Sequence, residues 1–281
     1  EQYEKGILQN QLGILPQYNR LFGALLDILE RARIIQYSDN HIITKGVRSP
    51  SLQKEISSIK DRISEFSELR AYVELLNTCL ENYPDILRGK VPATDIIFPN
   101  SSMDLVQGIY KGNQIADYYN HLVAHSILSY IQARLPLLKE NEKINILEIG
   151  AGTGGTSAFV FDTIRMYSDR LNYMYTDISY GFIEYGRKQY GKNNPFVNFK
   201  VLDIEKDIHL QEEATGEYDV VFATNVLHAT QNIRTTLSNA KRLLKKNGWL
   251  IINEITDQFD YLTVTFGLLD GWWLYEDEED R

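Results

Sequence analysis

A single cysteine, Cys79, stands among 281 residues, so no internal disulfide can hold the chain together and its fold must rest on packing. Cys79 lies in the apolar helical stretch LLNTCL, where a buried thiol is expected rather than a nucleophile. Positive charge is also in short supply. Against 38 aspartates and glutamates there are 29 lysines and arginines, a formal net charge of −9, whereas a nucleic-acid binder needs a basic face to displace counterions from phosphates. Long hydrophobic runs are missing too: none approaches the roughly 18 apolar residues of a membrane span. The first residues, EQYEKG, have neither the basic start nor the apolar stretch of a secretion signal, so a cytoplasmic setting without membrane partners is expected. The chain begins at Glu1 rather than methionine, as a domain of a longer polypeptide would. Internal repeats and low-complexity tracts are absent. What remains, 43% apolar and 24% charged, is the composition of a globular protein with room for one large domain or two modest ones. Much of the acidic excess lies in the run Glu276 to Asp280, which reads as a solvated helix start, since metal loops alternate ligands with turn residues.

Residues 1–138 read as a mainly helical subdomain. Pro16 opens a first amphipathic helix with Tyr18, Leu21, Phe22, Leu25, Leu29 and Ala32 at helical spacing. Two β-prone runs then flank the turn cluster Ser38, Asp39, Asn40 and predict a hairpin. A second helix is expected from about Leu52 to Asn82, with Leu52, Ile56, Ile59, Ile63 and Phe66 on one face and Pro84 just past its end. A third is expected from Gln114 to Leu138, through Ile115, Tyr118, Leu122, Ile127 and Ile131. From residue 139 to 281 the character changes. The runs INILEIG, NYMYTD, VNFKVLD, EYDVVFATN and WLIINEIT are apolar almost throughout, and they alternate with helical stretches, the last from Ile233 to Lys246 with Asn247-Gly248 as its stop. Strands of that kind belong to a parallel sheet covered on both faces, so an α/β core is predicted.

The first strand runs into ILEIGAGTGG, whose glycines 150, 152 and 155 satisfy the dinucleotide pattern G-x-G-x-x-G. Glu148 argues against a dinucleotide. A carboxylate in the strand just before the loop would oppose a pyrophosphate at the helix start, whereas S-adenosylmethionine has no phosphate and presents an ammonium group that an acid can meet directly or through water. Asp177 closes NYMYTD and Asp203 closes VNFKVLD, positions from which the first could bond both ribose hydroxyls and the second the adenine amino group. Either acid alone could be a helix cap.

LEIGAGTGGTS, YTDIS, NVLHAT, LIINEIT and FGLLDGWW, preceded by SSMDLVQGIYKGNQIADYYN, resemble in order and spacing the C-methyltransferase domains of polyketide synthases. The resemblance implies a class I methyltransferase (Rossmann-like) sheet at 139–281, bearing an N-terminal helical lid at 1–138. It also implies methyl transfer from S-adenosylmethionine, leaving S-adenosylhomocysteine, to the α-carbon of a β-ketoacyl chain on an acyl carrier protein, beside neighbouring domains of the synthase. Class I methyltransferases close the sheet with two more strands, and too few residues follow Thr256 to form them, so the core is expected to lack its last strands.

His228 follows the strand ending at Asn225, and Glu254 lies near the end of the next strand. Neighbouring strands run about 4.8 Å apart, so the two side chains can meet. A carboxylate on one imidazole nitrogen fixes the tautomer and prepares the other nitrogen as a base. Methylation at carbon needs such a base because an acidic carbon must lose its proton before it attacks the methyl group. The family's dyad falls on these same two residues. By the same resemblance, Asn225 supports the cofactor's methionine end or the substrate's carbonyl, and Tyr118 holds the lid position nearest the active site, although a helix-face tyrosine is also ordinary packing. Trp272 and Trp273 are expected at the same sheet edge, lining an acyl pocket or closing the core. His121 and His125, four apart on a helix, have no HExxH pattern or third ligand with them, and nothing in the spacing supplies one for His41 or His209, so no metal is expected. Two other readings stay open: an O- or β-carbon methyltransferase on the same fold, or an inactive domain kept for architecture. An NAD-dependent dehydrogenase is the more distant alternative.

Overall fold

The computed structural model describes residues 1–38, 40–44, 58–59, 66, 69–110, 112–211 and 215–277. They form two compact units, Glu1–Ile109 with Asp257–Trp273, and Tyr110–Thr256 with Leu274–Arg281. The division therefore falls at 109/110 rather than at 138.

In the first unit a short strand β1 (Gln2–Glu4) leads into α1 (Lys5–Leu12) and α2 (Asn19–Arg31). Pro16 opens a 3-10 turn ahead of α2; of the predicted face Tyr18, Leu21 and Phe22 are buried, Leu25 and Leu29 half-buried and Ala32 exposed, while Leu26 is buried beside them. The hairpin forms as β2 (Ile35–Ser38) and β3 (His41–Thr44), with Ser38 opposite His41 and Asn40 at φ +65°, while Asp39 lies outside the described residues. Strand β1 adds to the other side of β3, which its three residues QYE gave no alternation to foretell. Most of the predicted second helix, including Leu52, Ile56 and Ile63, also lies outside the described residues, and Ile59 and Phe66 are exposed.

The described helix α3 (Arg70–Leu87) contains Pro84 instead of ending before it. Continuation buries Ile86 and Leu87, worth about 1.5–3 kcal/mol each, against the roughly 3 kcal/mol that an interior proline costs. Short helices α4 (Ala93–Ile97) and α5 (Asp104–Tyr110) complete this stretch. Residues 257–273 return to it as α10 (Asp260–Thr265) and two 3-10 turns, burying Phe266 and Leu268 in the same core as Leu21, Leu75 and Cys79. Trp272 and Trp273 pack on this core too, and Trp273 Nε1 donates to Gly267 O at 2.7 Å. They close the helical unit's core.

The second unit is built on five parallel strands: β4 (Ile144–Ile149), β5 (Leu171–Asp177), β6 (Val197–Val201), β7 (Tyr218–Thr224) and β8 (Leu244–Asn253), in the order β6-β5-β4-β7-β8. Among the described residues no strand pairs with the outer edge of β8. Helices α6 (Gln114–Arg134), α7 (Gly155–Ile164) and α8 (Tyr180–Tyr190) precede or link the strands, with α6 and α7, the latter through Phe161, packing on the face that holds Ile146, Tyr173 and Phe222. Helix α9 (Ile233–Leu243) covers the other face with Ala240 and Leu243. It stops three residues earlier than expected because Leu244 already pairs with Tyr218 in the sheet.

One correction concerns a helix face. On α6 the buried residues are Asn120, Val123, Ala124, Ile127, Tyr130 and Ile131, while Ile115, Tyr118 and Leu122 are exposed. The inward row contains a polar residue, Asn120, which donates to Tyr110 O and accepts from Thr156 Oγ1, so hydrophobicity alone picked the wrong row over the first two turns. Of the acidic run only Glu276 and Asp277 are described, neither in a helix, and Glu278 to Asp280 lie outside the described residues. Asp277 Oδ2 accepts the Ile233 amide at 2.6 Å, taking up a free donor at the start of α9 beside the Asn232 cap.

Candidate active site

Strand β4 is where the sheet order reverses: the chain steps from it to β5 and β6 on one side and reaches β7 and β8 on the other. The carboxyl ends around such a reversal frame a crevice suited to a ligand. Over it runs the loop between β4 and α7, in which Gly150, Gly152 and Gly154 take left-handed φ of +63°, +58° and +75°. Gly150 also has a steric role. A β-carbon there would lie 2.5 Å from both methyl groups of Val226, so the loop after β4 and the loop after β7 touch. At Gly152 a β-carbon would meet nothing within 4 Å, which leaves that part of the loop open.

Glu148 lies beneath the loop, 2% exposed. Its Oε2 accepts both Ser157 Oγ and Tyr173 Oη at 2.6 Å. Burial pushes its carboxyl up to about 7, the two hydroxyls hold it down and the charge of Asp177 adds to the rise. Asp177 is also buried, and burial raises its carboxyl against the pull of nearby backbone amides. Its Oδ2 accepts Gly152 N at 2.9 Å and its Oδ1 accepts Ser179 N at 2.8 Å, so it braces the glycine loop and caps the turn into α8 together. Asp203 stands two residues beyond the end of β6, in a turn where Oδ1 accepts Glu205 N at 3.1 Å and Oδ2 pairs with Lys206 Nζ at 2.9 Å. Gln211 pins that turn by accepting Asp203 N and donating to Asp203 O.

On the other side of β4, parallel pairing brings Thr224 level with Asn253. Asn225 donates its amide to Asn253 O at 2.9 Å and takes φ +52°, a conformation asparagine tolerates better than most residues. That reversal folds the chain into the 3-10 turn Leu227–Ala229. His228 Nδ1 thereby comes within 2.7 Å of Glu254 Oε2. The carboxylate is held from its other oxygen, Oε1 accepting Val226 N at 2.8 Å and Leu227 N at 2.7 Å. With the glutamate ionised, Nδ1 carries the proton and the lone pair falls on Nε2, the arrangement of a general base with its orienting acid.

The central strands and loops, residues 147–250, match the family model described as "Methyltransferase domain". Over its whole length the chain superimposes on the solved DszA carbon methyltransferase with a TM-score of 0.95 and 44% identity, covering 71% of that chain. The chain belongs to the carbon methyltransferase domains of polyketide synthases. Among relatives of this methyltransferase, the polyketide synthase PksR of Bacillus subtilis (strain 168) is 47% identical over 267 residues, 94% of this chain and 10% of that protein. The chain thus spans about a tenth of a much longer relative. The trans-methyltransferase CalH, solved in complex with SAH, is 27% identical with a TM-score of 0.69, over 97% of this chain and 74% of that one.

Of the residues expected in the methyltransferase site, the structure brings Glu148, Gly150, Gly152 and Asp177 to one loop, and Asn225, His228 and Glu254 to the next, the two loops meeting at Gly150 and Val226. Tyr118 stands 60% exposed on α6 with its ring edge-on to Tyr119. His121 and His125 are surface residues of the same helix, the first against the Phe159 ring. Among the described residues no cluster of three or more His, Cys, Asp or Glu could hold a metal, and no helix is long and apolar enough to cross a membrane. Sequence reasoning missed Gly154, whose left-handed φ equals its neighbours' in kind. It also missed Thr224, whose hydroxyl is buried with no hydrogen-bond partner at the carboxyl end of β7. A third glycine in GTGG was a usable signal; nothing in the strand EYDVVFAT marked Thr224.

Proposed function

We propose that this domain transfers a methyl group from S-adenosylmethionine to the α-carbon of a β-ketoacyl chain carried as a thioester on an acyl carrier protein. The observation that carries the reading is the His228–Glu254 contact of 2.7 Å at the carboxyl ends of β7 and β8, one loop away from the glycine turn after β4. An oxygen or nitrogen acceptor would make less demand for a base held this firmly.

The residues present fit S-adenosylmethionine. Gly152 offers open backbone where a side chain would intrude, the unpartnered Thr224 hydroxyl offers a polar contact on the β7 side, and Glu148 supplies acidity beneath the loop. The bound SAH of CalH supports the same ligand here. Asp177 would meet the ribose hydroxyls, Asp203 the adenine amino group, and Asn225 the methionine end or the substrate's carbonyl. When bound, the cofactor supplies an electrophilic methyl group whose departure from sulfur needs no acid.

The chain's own residues then have one proton to move. His228 Nε2 takes it from the carbon between the two carbonyls, and the positive charge left on the imidazole faces Glu254 Oε2. Val226 and Leu227 amides hold Glu254 in place, so the ring cannot turn away as charge develops. Tyr118 would lie over the enolate oxygen as the acyl arm enters. The carrier protein and the neighbouring domains of a synthase are the partners this chemistry requires.

The test is mass spectrometry of a carrier-bound β-ketoacyl thioester incubated with the protein and S-adenosylmethionine. A gain of one methyl on the acyl arm, lost in His228→Ala, is expected. Methylation at oxygen, at the β-carbon or not at all would overturn the proposal.

A further inference from the structure

Two tyrosines that the chemistry above does not use fasten the glycine loop. Tyr175, on β5, donates its hydroxyl to Gly152 O at 2.7 Å. Tyr190, the last residue of α8, donates to Thr153 O at 2.9 Å and reaches Gly154 O at 3.2 Å. Two glycines make room for the rings: a β-carbon on Gly154 would lie 2.4 Å from Tyr190 Cε2, and one on Gly186 would lie 2.8 Å from the Tyr175 ring. The amide side of the loop is held from the same strand, with Ala151 N donating to Thr176 O at 2.8 Å and Gly152 N to Asp177 Oδ2 at 2.9 Å. A loop with left-handed φ at three glycines has many alternatives to choose from. Here consecutive peptide planes, from 152 to 154, are each fixed by a hydroxyl from below. Burial raises both phenols, so they remain donors across the physiological range.

We propose that Tyr175 and Tyr190 are positioning residues for the cofactor: by holding the carbonyls of residues 152–154 inward, they keep the loop in the one conformation that accepts S-adenosylmethionine. Freed from the hydroxyls, these peptide planes would sample other orientations, and binding would then bear the cost of ordering them. The inference rests on the reading of this loop as the S-adenosylmethionine site.

The test uses Tyr175→Phe and Tyr190→Phe, which keep the rings and remove only the hydroxyls. Calorimetric titration with S-adenosylhomocysteine is expected to show each variant binding about fivefold to tenfold more weakly, the scale of one lost hydrogen bond. The KM for S-adenosylmethionine should rise in parallel while kcat at saturation stays within about twofold. In the ligand-free protein, amide hydrogen exchange should accelerate in residues 150–156 and not in β4 or β7. Unchanged affinity in both variants, with the wild type binding normally, would overturn this inference alone. So would a loss of kcat at constant KM, or exchange that accelerates throughout the sheet. A wild type that binds no S-adenosylhomocysteine would overturn both this inference and the reading beneath it.

Discussion

Replacing Glu254 by glutamine changes one atom and, by the geometry, reverses a proton. Oε1 accepts two backbone amides, from Val226 and Leu227, and Oε2 faces His228 Nδ1. A glutamine has one oxygen for the two places. Turned so that its NH2 group faced Val226 and Leu227, it would forfeit two hydrogen bonds to amides, at about 1–3 kcal/mol for each unsatisfied donor. The oxygen therefore stays with the amides and the NH2 group points at His228. Nδ1 must then accept, the ring proton moves to Nε2, and the lone pair turns away from the substrate. A general base contributes on the order of 10² to 10⁴ in rate, and a wrong imidazole tautomer costs the serine proteases about 10⁴. Single-turnover methylation in Glu254→Gln is expected to fall by about 10³, with S-adenosylhomocysteine affinity unchanged within about twofold, because the glycine loop is untouched. A variant that methylates within about threefold of the wild type would refute the tautomer argument and, with it, the base assigned to His228.

Gly154→Ala is expected to destabilise by roughly 2–5 kcal/mol, combining left-handed strain with overpacking against the Tyr190 ring 2.4 Å away; Gly152→Ala, in open space, should lose only about 1–2 kcal/mol. Urea denaturation of the pair measures the difference, and equal losses would contradict the packing. Glu148 gives a pH dependence with a definite sign. Its folded carboxyl titrates at about 7, above the ordinary 4.5, so between those values the folded chain keeps a proton that the unfolded chain releases. Stability from this group is thus greatest below pH 4.5 and falls as pH rises to 7, by roughly 3 kcal/mol in all; Glu148→Gln should remove that slope from denaturation curves taken across the window.

The parallel core was legible because its central strands β4 and β7 are buried on both faces and so write themselves as nearly unbroken apolar runs, INILEI and YDVVFA, while the partly exposed edge strands β6 and β8 were legible from their alternation with helices. His228 and Glu254 were legible because adjacent parallel strands carry their carboxyl ends to the same edge, so a spacing of one strand and one helix becomes a short distance in space. Contacts set by partners far along the chain were not legible. Pro84 lies inside a helix because Ile86 and Leu87 have a core to enter, and that core is completed by Phe266 and Leu268 from beyond the sheet. Asn120 faces inward because Tyr110 O and Thr156 Oγ1 wait there, and a hydrophobic count scores it as surface. The glycine loop shows the same division. Its glycines announce a turn close to a ligand, yet what keeps that turn in one conformation is Tyr175 on the next strand and Tyr190 on the next helix, residues that local pattern reads as ordinary packing. A catalytic motif in this fold is thus readable where the backbone alone defines the site, and its rigidity is readable only once the side chains beneath it are in place.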